Sequence, residues 1–272
     1  TLVLAMVLSV VAARDAFAEA VLWSGDLLNP EDARGPWRVD LSSLVTSDLH
    51  GVGDRLKGLQ QGQYTLDAAR SGVLAAAAKA YPDNAEFEAL LSFAGSGEGA
   101  FVQQAVADPK VITLRQQLSF IRLPDDGFRK RAYHPASGGW GVGGFDFAQP
   151  LTRDLGTRWQ ARFRLQKTDP TAARSTVVKP IVFHLDRGTP EPVRSALLDG
   201  ARWWADAFDA AGFIDAFKVE LAPAGMDLAD VRYNAITWTH RATRGWSYGG
   251  GIIDPRSGEI IKGYVNLGSQ RV

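Results

Sequence analysis

A proline-glycine turn set between two strand-like runs constrains this chain more than any other feature. It lies in the stretch from Val231 to Gly268, VRYNAITWTHRATRGWSYGGGIIDPRSGEIIKGYVNLG. The opening VRYNAITW alternates apolar and polar positions as a half-buried strand does. A polar, glycine-broken connector follows, and then a hairpin whose turn is Asp254-Pro255-Arg256-Ser257-Gly258. Proline at the second turn position presets φ, and glycine supplies the left-handed residue that returns the chain to a strand. Two strands framing a Gly/Trp/Tyr-rich crossing point to the upper rim of a cleft.

The chain has 272 residues, enough for one large or two medium domains with a sizeable core. Apolar residues make up 46% and charged ones 22%, as in ordinary globular proteins. Lys+Arg and Asp+Glu both number 30, so net charge gives no reason to expect nucleic acid or an anionic membrane as partner. With no cysteine, neither a disulfide nor a thiolate metal site can form. Leu2 to Ala13 is an apolar run too short to span a bilayer. It reads either as a signal-peptide core, with Ala16-Phe17-Ala18 as cleavage site, or as an internal strand running into a short helix, ARDAFAEAVLW; no Lys or Arg precedes it.

Residues 20–170 read as mostly β. WRVDLSSLV is a strand candidate, SDLHGVGDRLKGLQQGQYTLD a short helix and turn, and the alanine run after VL a possible helix. EFEALLSFAG alternates as a strand, with Pro82-Asp83-Asn84 as the turn before it, and VITLRQQLSFIRLP has the clearest strand pattern of this half. The stretch from Asp125 to Leu151 is irregular and rich in glycine and aromatics, and RWQARFRLQKTDP closes the region as a strand. A polar linker over residues 168–178 marks a boundary, with a second domain over 176–272 and residues 1–19 as a separate apolar segment. KPIVFHLD is a strand. Thr189-Pro190-Glu191 looks like a helix start, and Val193, Leu197, Leu198, Ala201, Trp204, Ala205 and Phe208 recur at helical spacing, which predicts one amphipathic helix of about five turns with Trp204 inside. Gly212 caps it, and FKVELAP and VRYNAITW are further strands. The fold class is therefore α+β: a β-rich first domain, then a twisted mixed sheet with one long helix.

Several motifs tempt. Gly245-Trp246-Ser247-Tyr248-Gly249 matches the nucleophile elbow of serine hydrolases, but a strand follows it where that chemistry needs a helix, and no histidine lies beyond His240. Gly139 to Gly144 matches GxGxxG, yet no strand leads in and no helix leads out, as phosphate binding requires. His50, His134, His184 and His240 are too far apart to form a helical zinc pair, and His184 and His240 read as a core or edge residue and a loop residue. Asp125-Asp126 reads as a turn, and Asp206 and Asp209 as a solvated helix face. Trp140 and Trp246 could form a sugar-binding platform, so a non-enzymatic module binding glycan or protein is the alternative function.

Two long stretches carry a resemblance. VVKPIVFHLDRGTPEPVRSALLDGARWWADAFDAAGF and DVRYNAITWTHRATRGWSYGGGIIDPRSGEIIKGYVNLGSQRV are similar to bacterial zinc-dependent metalloproteases with a met-zincin, EcxA-like zinc-binding domain. SDLHGVGDRLK, ITLRQQLSFIRLPDDGFRKRAYHPASG and RWQARFRLQKTDP resemble the uncharacterised domain that precedes it, and the likeness spans roughly residues 18–272. It implies a zinc-dependent endopeptidase acting on peptide or protein outside the cytoplasm. It also implies that the helix with the HExxH-type motif follows the present hairpin, so that neither zinc nor activity is expected of this chain alone. In such folds an edge strand above the zinc binds peptide by strand addition. By resemblance that rim is Ile260, Ile261, Lys262, Gly263, Tyr264, Val265 and Asn266, with Trp246 and Tyr248 in the adjacent loop.

Overall fold

Alternating apolar positions build the central strand of the first half of the molecule. The structure, a computed structural model, describes residues 3–6, 23–25, 28, 37–241 and 245–271. They form two compact units, which meet between Phe120 and Ile121. The Ala16-Phe17-Ala18 site, and all of the helix expected over 13–23 except Trp23, lie outside the described residues.

In the first unit β1 (Val3–Met6) pairs antiparallel with β2 (Trp37–Asp40). Short helices α1 (Ser42–Val45) and α2 (Val52–Gly58) follow. A sheet then forms from β3 (Tyr64–Val73), β4 (Lys79–Ala80) and β5 (Asn84–Gly95), with α3 (Ala100–Ala105) leading to β6 (Val111–Ile121). Strand β5 is central and pairs with β3, β4 and β6. Its odd positions Ala85, Phe87, Ala89, Leu91 and Phe93 are buried and pack with Val39, Leu41, Val45, Val102 and Ile112. A face of that size removes enough apolar surface to hold a small core, at about 25 cal/mol per Å². Two expectations fail here. The alanine run makes only a one-turn 3-10 helix, Ala75–Ala77, because β4 must leave at once to pair with β5. Strand β3 occupies residues read as turn: a bulge between Asp67 and Gly72 breaks its alternation, and Asp67 Oδ1 accepts from the backbone N–H of Ala69 at 3.1 Å.

The second unit opens with a hairpin, β7 (Gly141–Phe145) and β8 (Gly156–Gln160). After β9 (Ser175–Thr176) comes β10 (Ile181–Leu185), then α4 (Val193–Arg202), α5 (Trp204–Ala210), β11 (Phe213–Ile214) and β12 (Phe217–Leu221). Strands β13 (Asn234–Thr239), β14 (Tyr248–Ile253) and β15 (Ile260–Gly268) complete a five-stranded sheet of order β12-β10-β13-β15-β14. Its first four strands are parallel, and β14 alone runs antiparallel. One face carries Phe183, Leu185, Phe217, Val219, Ile236, Val265 and Leu267 against Leu197, Leu198 and Ala201 of α4. The chain is thus α+β, with a mixed sheet and a helical layer.

The helix departs from expectation in two ways. It is interrupted at Trp203, and Trp204 leaves the apolar stripe to stand 63% exposed, while Phe208 stacks on Phe217 at 5.5 Å. It also begins later, at Val193; Thr189 is buried and its hydroxyl caps nothing. Glu191 does that work instead, accepting from the Ser195 hydroxyl at 2.8 Å and the Ser195 backbone at 3.2 Å. Gly212 ends the helices as expected, at φ +87°. The stretch 168–178, expected as a linker, is woven into this unit: Lys167 bridges to Val177, and β9 pairs with β11.

Candidate functional site

The turn of the last hairpin is fixed by its own charges. Asp254 is buried, and its carboxylate accepts from the Arg256 backbone at 2.8 Å and from the Arg256 guanidinium at 3.1 and 2.8 Å. Burial works to raise the Asp254 pKa, but the Arg256 bonds outweigh it and hold the carboxyl below its ordinary value. Gly258 takes φ +80° and donates to the Asp254 carbonyl at 2.9 Å, as the sequence predicts. Arg256 also donates to the Pro124 carbonyl at 2.9 Å. Beside it Arg164 grips the buried Glu259 with both forks, at 2.8 and 2.7 Å, and reaches Asp125 at 2.7 Å. Residues 124–164 therefore clasp the hairpin turn, and Asp125, in the turn the sequence predicts, is also an exposed ion-pair partner of Arg164.

From this turn β15 runs back through the interior of the sheet. It pairs with β13 on one side and β14 on the other, so the expectation that residues 260–266 form an edge is overturned. The physical reason is the parallel crossover: β13 supplies a second full ladder that the local hairpin pattern does not reveal. Ile260, Ile261 and Val265 are half-buried. Lys262 is 6% exposed, and its ammonium donates to the carbonyls of Leu228 and of Asp230, the latter at 3.1 Å. Gly263 has no room for a side chain, because a Cβ there would meet the Phe183 ring at 2.8 Å. Asn266 donates to Thr239 at 2.9 Å. Of that set only Tyr264 is exposed.

The sheet's two edges are β12 and β14, and the edge next to β15 is β14. Among the described residues no strand pairs with its outer side. It reads Tyr248-Gly249-Gly250-Gly251-Ile252-Ile253, and the glycines leave the backbone uncovered. A Cβ at Gly250 would meet the Tyr264 hydroxyl at 2.6 Å, so a side chain there would displace the Tyr264 ring. Trp246 and Tyr248, 79% and 52% exposed, flank this edge. The sequence carried one signal for it, the triple glycine followed by Ile-Ile.

The other candidates separate. Ser247 accepts the Gly268 N–H at 3.1 Å and leads into a strand, so its hydroxyl is fastened to β15. His240 Nδ1 lies 2.9 Å from Ser269 Oγ just past the ends of the parallel strands β13 and β15. His184 packs edge-on against Tyr233 at 5.3 Å, and His134 accepts from the Ala136 backbone at 3.1 Å. Gly141 to Phe145 form a strand, not a phosphate-cradling loop. Among the described residues no three His, Asp or Glu side chains stand close enough to hold a metal ion. No described helix is long and apolar enough to cross a membrane.

Residues 9–168 match a family model described as a domain of unknown function, DUF5117. The chain belongs to that family. The DUF5117 match covers the first unit from residue 9 and runs on through the clasp segment, stopping before the five-stranded sheet. No curated protein matches the chain, and no solved structure does.

Proposed function

We propose that this chain provides the substrate-binding shelf of a zinc-dependent metalloendopeptidase, and that the free edge of β14 receives an extended peptide as a further strand. The observation that carries the reading is the antiparallel edge strand Tyr248–Ile253, closed by β15 on one side and, among the described residues, without a strand partner on the other. Backbone groups of such an edge bind peptide irrespective of sequence, and flanking side chains select. Trp246 and Tyr248 are placed to do so. The resemblance supplies the chemistry: the zinc and the general-base Glu belong to an HExxH-type helix that this chain does not contain, and the setting is outside the cytoplasm.

Expression of the whole natural coding frame tests the proposal. It should contain an HExxH-type helix after the hairpin, bind one zinc and cleave an unstructured protein substrate. Trp246→Ala and Tyr248→Ala should raise KM with kcat little changed, as loss of uniform binding does. A coding frame lacking that motif and binding no zinc would sink the reading. The exposure of Trp140 and Trp246 favours a second reading, a glycan-binding module. Saturable glycan binding lost in Trp140→Ala and Trp246→Ala, with no hydrolysis by the whole frame, would select it.

A further inference from the structure

The zero net charge of the chain averages over an uneven distribution. Between Arg129 and Arg158 five basic residues face two acids, and both acids are occupied with backbone. Asp146 accepts from the Ala148 N–H at 3.0 Å, and Asp154 from the Gly156 N–H at 2.8 Å. These bonds shape the tip of the β7–β8 hairpin into an ordered turn. The tip then presents apolar side chains outward: Phe145 and Phe147 are 75% and 65% exposed with rings 6.3 Å apart, and Leu151 is fully exposed. Arg129, Lys130, Arg131, Arg153 and Arg158 are all exposed; no ion pair found among the described residues involves them, and Lys130 lies over the Trp159 ring at 5.1 Å.

We propose that this tip is a peripheral anchor that seats on an anionic lipid surface. The spacing of apolar tip and basic belt fits a bilayer interface. Arg158 lies opposite Gly143, two residues behind Phe145, which is ~7 Å at the usual strand rise. The Arg131 carbonyl accepts from Gln160, which lies opposite Gly141, ~13 Å behind the tip. Side chains sunk roughly 5–10 Å into the headgroup and acyl boundary would thus bring the cations to the phosphates. A protein partner fits less well. Three side chains on one convex turn bury far less than the roughly 1,000 Å² of a specific protein interface, whereas a bilayer needs only a few apolar groups with basic neighbours.

The absence of cysteine allows a clean test. A Leu151→Cys variant carries an environment-sensitive fluorophore at the tip, and Ala136→Cys carries it on the turn at the other end of the hairpin. With vesicles of phosphatidylcholine and phosphatidylglycerol the tip label should brighten and shift to the blue, and the Ala136 label should not. Pure phosphatidylcholine or 0.5 M salt should abolish the response. In co-sedimentation of unlabelled protein, Lys130→Ala and Arg158→Ala should each weaken lipid binding roughly fivefold. Phe145→Ser with Phe147→Ser should weaken it at least about tenfold, with unchanged circular dichroism. An unresponsive tip label at millimolar lipid, undiminished binding by the double serine variant, or an equal response to soluble polyglutamate would each overturn the proposal.

Discussion

Single residues in the second unit act mostly by satisfying a neighbour that the fold has removed from water. Ser247 is the clearest case, because its motif invites a catalytic role while its hydroxyl holds the Gly268 N–H at 3.1 Å. Ser247→Ala is expected to cost about 1 kcal/mol in urea unfolding, the usual net worth of one hydrogen bond, and a fluorophosphonate probe is expected to label neither form. Asp254 and Asp230 are buried carboxyls that contribute to the acid limit. Arg232 hydrogen bonds lower the Asp230 carboxyl, and Arg256 does the same for Asp254 against the opposing effect of burial. A carboxyl with a depressed folded pKa stabilises fully above its unfolded value near 4, and loses that contribution as pH falls through the folded value. The urea midpoint should therefore drop between pH 5 and pH 3, and Asp254→Asn should flatten that drop while lowering the midpoint at pH 7.

At the scale of elements, the clasp around the hairpin turn divides its two acids sharply. Glu259 is buried and held by both forks of Arg164, whereas Asp125 lies in water. Arg164→Ala strands a buried carboxylate and should destabilise by about 3 kcal/mol; Asp125→Ala should change stability by under about 0.5 kcal/mol. Chemical denaturation of both variants measures the contrast. What the sequence disclosed about elements follows local physics. Alternation marked β5 and β6, Pro255 and Gly258 marked the turn, and Gly212 marked the helix end. What it hid depends on distant partners. The interior position of β15 comes from its ladder with β13, set by a crossover, and periodicity within 260–268 is the same for an edge strand and a central one. The exposure of Trp204 is announced by no breaker residue, and Trp203 between the two helices itself keeps helical angles, φ −59° and ψ −21°.

Across the whole molecule, the division at Phe120/Ile121 and the end of the family match at residue 168 do not coincide. Residues between them belong by contact to the second unit: Arg162 donates from its backbone to Gly258, and Ile260 donates back to Arg162 at 2.9 Å. A protein spanning 121–272 should therefore unfold cooperatively and give dispersed amide resonances. One beginning at residue 176 loses the clasp, uncovers Glu259 and Lys262's neighbours, and should show a shallower, earlier urea transition. Composition alone favoured a cut at the polar stretch 168–178, since polarity and proline look the same in a linker and in a segment laced into a sheet margin by β9 and β11.

The open margin of β14 has one consequence for handling the protein. Three glycines give that border no charge and no bulk, the two means by which natural sheets discourage copies of themselves from stacking side by side. Concentrated solutions should oligomerise through this strand, seen as rising light scattering with thioflavin signal. A lysine gatekeeper, Gly249→Lys, whose Cβ would meet nothing nearer than the Tyr264 carbonyl at 3.5 Å, should suppress it.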